Sequence, residues 1–247
     1  MIEQTVDIPT PAGAVATFIV HPEREGPHPL VIVLMDAGGV REELRDMARR
    51  LASTGYYVML PDLYYRAGPM APRAPAGNAA DEAQQAAYAF TSALSVAQVM
   101  EDCEALLDYA DRDPAASPGL AGCVGYCMSG QYAVNLAARH PERIGAAACV
   151  YGVMLVTDQD DSPHLALGKA TAEFYFACAD DDPWSPLEMV QALDQAAKAH
   201  GPTTEVEVYP GAGHGFAFPG RPAYDTASAE RCWERLFALF RRRLQAA

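Results

Sequence analysis

The chain has 247 residues and a mass of 26.5 kDa, and half of its residues are hydrophobic, enough apolar material for one sizeable core in a single domain over residues 1–247. A net charge of −14 and a pI near 4.7 have the wrong sign for neutralising phosphates, which excludes nucleic acid and anionic membrane as expected partners. The sequence opens without a basic leader, and no window approaches the ~20 uninterrupted apolar residues of a membrane span, so a cytoplasmic protein is expected.

Along the chain, short β-rich runs at residues 16–20, 30–35, 57–60, 120–124, 145–151, 173–178 and 205–209 read as strands. Segments of helical periodicity lie between most of them. The run Leu30-Val31-Ile32-Val33-Leu34-Met35 is apolar at every position, as a strand covered on both faces must be. This pattern predicts an α/β fold with a mainly parallel, doubly wound sheet, helices on both faces, and antiparallel pairing confined to the first strands.

Residues 66–78, rich in Pro, Gly and Ala, form the one long irregular insertion, suited equally to lining or covering a site and to merely connecting elements. Helix starts are marked at Ser95, with Gln98 three residues on, and at Ser185, with Pro186 next and Glu188 three residues on. The six cysteines at 103, 123, 127, 149, 178 and 232 have neither C-x-x-C pairing nor metal-ligand spacing, so free thiols and no metal are expected.

The most informative stretch is Gly125-Tyr126-Cys127-Met128-Ser129-Gly130, between an apolar strand and a helical pattern. It reads as a nucleophile elbow centred on Cys127, with the small residues Gly125 and Ser129 two places to either side. Ser129 does not fit as the nucleophile, because its own flanking positions hold Cys127 and Gln131.

A cysteine nucleophile needs a base, and the base needs a third group to hold its tautomer. His214, in the glycine-rich loop Tyr209-Pro210-Gly211-Ala212-Gly213-His214-Gly215-Phe216, follows the last strand and is the candidate base. The acid lies in Asp180-Asp181-Asp182-Pro183-Trp184. Asp182 is the choice because Ser185 and Glu188 already cap the next helix, with Asp180 and Asp181 as alternatives. The loop Met35-Asp36-Ala37-Gly38-Gly39 follows the strand from which this arrangement supplies an oxyanion-hole amide, so Ala37 and Met128 are the expected backbone donors.

Taken in order, the elbow, the His214 loop and Leu60-Pro61-Asp62-Leu63-Tyr64-Tyr65-Arg66 closely resemble the dienelactone hydrolase family of the α/β-hydrolase superfamily, over nearly the whole chain. The resemblance implies a Cys127-His214-Asp182 triad, no cofactor, and a carboxylate at Asp36 that contacts and modulates the thiol, one methylene shorter than the Glu usual there. It also implies carboxylate-binding arginines at positions that here hold Phe218 and Gln84. With Tyr64 and Trp184, Phe218 suggests a more apolar pocket, while Arg66 and Arg41 are candidate anion binders whose ordinary alternative is a surface salt bridge.

The sequence therefore points to a hydrolase of a small-molecule lactone, ester or thioester working through an acyl-enzyme, with a modified peptide or thioester carrier as a further substrate class. The rival reading is a non-catalytic ligand-binding or thiol redox-sensing protein on the same fold. The sequence leaves monomer and homodimer equally open.

Overall fold

A computed structural model describes residues 1–68, 91, 93–200 and 203–245. In chain order the strands and α-helices are β1 (Ile2–Thr10), β2 (Gly13–His21), β3 (Leu30–Leu34), α1 (Glu42–Ala52), β4 (Tyr57–Pro61), α2 (Val96–Ala110), β5 (Ala121–Tyr126), α3 (Gly130–Arg139), β6 (Ile144–Val150), α4 (Pro163–Ala166), β7 (Glu173–Asp181), α5 (Leu187–His200), β8 (Thr204–Gly213) and α6 (Thr226–Leu244). Of the insertion expected over 66–78, residues 69–78 lie outside the described residues, as does Gln84.

The strands form one sheet in the order β1-β2-β4-β3-β5-β6-β7-β8. From β4 to β8 all neighbours are parallel, and β2 runs antiparallel to both β1 and β4. β3 is buried along its whole length because it sits inside the sheet with helices over both faces. Each of its Val, Ile and Leu side chains gains roughly 1.5–3 kcal/mol over an exposed position.

Helices α1 and α6 share one face, where Arg50 pairs with Glu230 at 2.5 Å and its guanidinium lies 4.7 Å from the Trp233 ring centroid. Helices α2 and α3 pack together on the other, α3 against β5 and β6 and α5 against β8. Ser95 caps α2 as expected: its side chain accepts from the Gln98 amide at 3.2 Å, and Gln98 Oε1 accepts from the Ser95 amide at 3.0 Å. Helix α5 opens at Leu187, one residue later than the Ser185 signal implies, with the Pro186 carbonyl accepting from Met189 and Val190.

β1 falls outside the strands expected from the sequence. It is an edge strand in which Ile8 alone is fully buried, and Glu3, Gln4, Thr5, Asp7 and Pro9 leave no run of apolar residues to reveal it.

Register determines what meets at the C-terminal edge of the sheet. Leu34 pairs with Gly125, Tyr126 with Val150, and Asp181 with Gly213. The residues that follow these pairs therefore emerge side by side: the 35–39 loop, Cys127, Tyr151, Asp182 and His214. Ligand sites of open α/β sheets lie at this edge.

Candidate active site

The elbow is built on backbone that few residue types tolerate. Cys127 has φ +54°, the left-handed region, which costs a non-glycine residue about 1–3 kcal/mol. A Cβ on Gly125 would fall 2.0 Å from the Ser129 carbonyl oxygen, so no side chain fits there. The second close approach belongs to Gly130 rather than to Ser129, since a Cβ on Gly130 would fall 2.3 Å from Cys149 Sγ and 2.9 Å from Gly152 Cα. Ser129 is fully buried, and its hydroxyl donates to the Met35 carbonyl at 2.5 Å, tying the elbow to the loop after β3.

His214 Nε2 lies 3.2 Å from Cys127 Sγ, and Nδ1 donates to Asp182 Oδ2 at 2.7 Å. Asp182 is buried, and its other oxygen accepts from the Trp184 amide at 2.9 Å. Of the alternative acids, Asp180 is exposed and accepts from the Gly211 amide at 3.1 Å, while Asp181 is exposed at the end of β7.

Burial disfavours a charged imidazole at His214 and is the largest single influence on it. The hydrogen bonds to Asp182 and Cys127, with their charges, outweigh burial and push His214 up to about 9 from an ordinary 6.5. The Tyr151 ring packs against His214 with centroids 5.2 Å apart, and the Val153 amide donates to the Cys127 carbonyl at 3.2 Å. The turn after β6 thus touches both nucleophile and base, and its Tyr151 also has a left-handed backbone, φ +39°.

The 36–39 loop and the elbow bring Ala37 and Met128 to the same edge of the sheet. Among the described residues, no acceptor is found for the Ala37 backbone N–H. Asp36 departs from its expected contact with the thiol. Its carboxylate accepts from Arg41 Nη1 at 2.6 Å, Arg221 Nη2 at 2.6 Å and the Gly38 amide at 3.1 Å, and no hydrogen bond joins it to Cys127. Two guanidiniums, one of them from a residue far away in sequence, hold the shorter side chain.

Residues 15–244 match the dienelactone hydrolase family. A protein of Methylorubrum extorquens assigned provisionally as a carboxymethylenebutenolidase is 30% identical over 98% of this chain and 81% of its own length. The chain belongs to the dienelactone hydrolase family. A second provisionally assigned carboxymethylenebutenolidase, from Escherichia coli K12, is 30% identical over 95% of this chain and 84% of its own. The crystal structure of a provisionally assigned dienelactone hydrolase from Klebsiella pneumoniae superposes with a TM-score of 0.85 at 28% identity, covering 97% of this chain and 98% of that one. The fold is accordingly the α/β-hydrolase fold, and the protein is a dienelactone hydrolase-like hydrolase acting on esters or lactones.

The residues expected to shape a dienelactone hydrolase pocket fare unequally. Phe218 is fully buried, so it backs the site rather than lining it. Its ring packs on Tyr126 at 5.3 Å and Tyr151 at 6.0 Å, beneath the Arg41 guanidinium at 4.7 Å. Tyr64 is buried too, donating to the Ala37 carbonyl at 3.2 Å and the Met128 sulfur at 3.4 Å, and so supports both expected oxyanion segments. Arg66 is committed to the buried Asp102 at 2.6 and 2.8 Å, and Arg41 to Asp36 and Glu43, so both form structural ion pairs.

Trp184 is 48% exposed beside Asp182. Met154, which the sequence reading passed over, is 56% exposed one residue after Val153. Tyr151 and Arg221 were also missed: a tyrosine ending a strand and an arginine in a Pro-Gly-Arg-Pro turn carry no local sign of what they touch. Among the described residues no cluster of metal-ligating side chains occurs, and no helix is long and apolar enough to cross a membrane.

Proposed function

We propose that Cys127, His214 and Asp182 form the catalytic triad of a hydrolase that cleaves a small-molecule lactone, ester or thioester through an acyl-enzyme. The observation that carries this reading is the continuous chain Cys127 Sγ, His214 Nε2, His214 Nδ1, Asp182 Oδ2, with links of 3.2 and 2.7 Å, mounted on a strained elbow.

His214 Nε2, 3.2 Å from Sγ, takes the thiol proton as general base, with Asp182 holding the proton-bearing Nδ1 in place. Sγ attacks the carbonyl carbon, and the Ala37 and Met128 amides hold the oxygen as it becomes negative. The carbon–oxygen or carbon–sulfur bond to the leaving group then breaks, and His214 Nε2 gives the leaving group its proton. Water, deprotonated by the now neutral His214, attacks the thioester. The acid departs and the imidazolium and thiolate are restored, so the cycle consumes one water and needs no cofactor.

The thiol-sensor reading draws no support from the other cysteines. All six cysteines are free, and Cys103, Cys123, Cys149, Cys178 and Cys232 are buried. Burial pushes Cys178 up to about 12 and raises the other four as well, so none of the five makes a ready attacking thiolate.

Hydrolysis of a panel of activated esters, thioesters and lactones, including a dienelactone, by the protein and its Cys127→Ala variant tests the proposal. Turnover in the parent and its loss in the variant are expected. Equal turnover by both proteins would overturn it.

A further inference from the structure

The Asp36 side chain is only 5% exposed, yet it is flanked by two arginines from different parts of the chain. Oδ1 accepts from Arg41 Nη1 at 2.6 Å and from the Gly38 amide at 3.1 Å, and Oδ2 accepts from Arg221 Nη2 at 2.6 Å and Arg41 Nη2 at 3.4 Å. Arg41 Nη1 also donates to the Gly39 carbonyl at 3.2 Å, while its Nε and Nη2 reach Glu43 at 2.9 and 2.7 Å. Glu43 Oε1 in turn accepts from the Gly220 amide at 2.6 Å. A closed ring results: Asp36 to Arg41, Arg41 to Glu43, Glu43 to the 220–221 turn, and Arg221 back to Asp36.

The ring joins three segments that share no secondary structure: the loop after β3, the start of α1, and the turn after His214. Ala37 is the residue that follows Asp36. The residue before it is held by its side chain, the Gly38 amide after it is bonded back to that side chain, and the Gly39 amide donates to the Asp36 carbonyl at 3.0 Å. The backbone around the Ala37 N–H is thereby held by bonds within the loop, and the loop's Asp36 by two arginines from outside it. On the opposite side, the Ser129 hydroxyl bond to the Met35 carbonyl locks the loop to the elbow that carries Met128.

We propose that Asp36 and Arg221 are positioning residues: their ion pair aims the Ala37 amide at the substrate oxygen, and Asp36 does not tune the thiol. The assignment rests on the reading of Ala37 and Met128 as oxyanion donors. It makes the turn after the catalytic histidine part of the oxyanion machinery, so base and oxyanion hole are held by one element.

Arg221→Ala, which leaves the triad residues intact, tests the assignment through three readouts. The kcat for an activated ester is expected to fall about 100-fold with KM changed less than about threefold, because misplacing one oxyanion donor acts only where charge develops. Alkylation of Cys127 by iodoacetamide is expected to keep its rate and pH profile, since that displacement puts negative charge on iodide and uses no oxyanion hole. Amide hydrogen exchange in peptides covering residues 35–40 is expected to accelerate about tenfold or more, with Arg221→Lys recovering much of the loss.

A kcat within about threefold of the parent and unchanged exchange would overturn the proposal. So would a shifted alkylation profile accompanying the loss of turnover, which would return Asp36 to thiol modulation. If the parent hydrolyses no ester, the proposed function fails, while the exchange readout still decides whether the pair holds the loop. Should Arg221→Ala not fold, Glu43→Gln opens the same ring at another link and is read in the same three ways.

Discussion

Replacing Asp182 with Asn removes the negative charge behind His214 while conserving size. In the parent protein burial pulls the imidazole downward, and the bonds to Asp182 and Cys127 overcome it to give about 9. The Asp182 side chain is fully buried, and in Asp182→Asn only the contact with Cys127 is left to oppose burial, so His214 titrates lower than in the parent.

The sign of the stability effect follows from the direction of the shift. A group raised from 6.5 to about 9 on folding contributes stability that is fully present below 6.5 and is lost as pH rises through 9. At about 1.4 kcal/mol per pH unit this amounts to at most about 3.5 kcal/mol, so urea unfolding of the parent should weaken across that window and Asp182→Asn should weaken less. Proton NMR titration of His214 measures the midpoint directly, and kcat should fall by about 10³–10⁴, because the variant favours the wrong tautomer. A midpoint still near 9 in Asp182→Asn would refute the electrostatic argument.

Gly125→Ala places a methyl 2.0 Å from the Ser129 carbonyl oxygen, a backbone atom that cannot rotate away. A loss of about 3 kcal/mol or more, or failure to fold, is expected in chemical denaturation, and a stable variant would show that the elbow can rearrange. The Tyr151 hydroxyl is buried without a hydrogen-bond partner among the described residues, so Tyr151→Phe should stabilise the protein by about 1 kcal/mol while keeping the ring against His214. Thermal unfolding checks this, and a lowered midpoint would mean the hydroxyl is bonded.

What the sequence disclosed and what it concealed divide along physical lines. The elbow was legible because its backbone tolerates few residue types: Gly125 has no room for a Cβ, and a cysteine at φ +54° is held there by close packing on both sides. Asp182 and His214 were legible through chain order, since each directly follows a strand end and the Asp181–Gly213 pairing brings them together.

The arginine clamp on Asp36 was not legible, because its partners stand 5 and 185 residues away and neither distance leaves a local pattern. Phe218 was read correctly as apolar but not as buried, because burial there comes from Tyr126, Tyr151 and Arg41, which distant segments supply. β1 stayed hidden for the reason edge strands often do: one face and one side of it meet water.

Hydrolysis through an acyl-enzyme requires a covalent bond between the substrate and Cys127. A slowly deacylated aryl ester, mixed with the protein and quenched in acid during the product burst, should leave one acyl group, found by peptide mass spectrometry on the fragment bearing Cys127. A burst that leaves the acyl group on another residue, or on none, would contradict it.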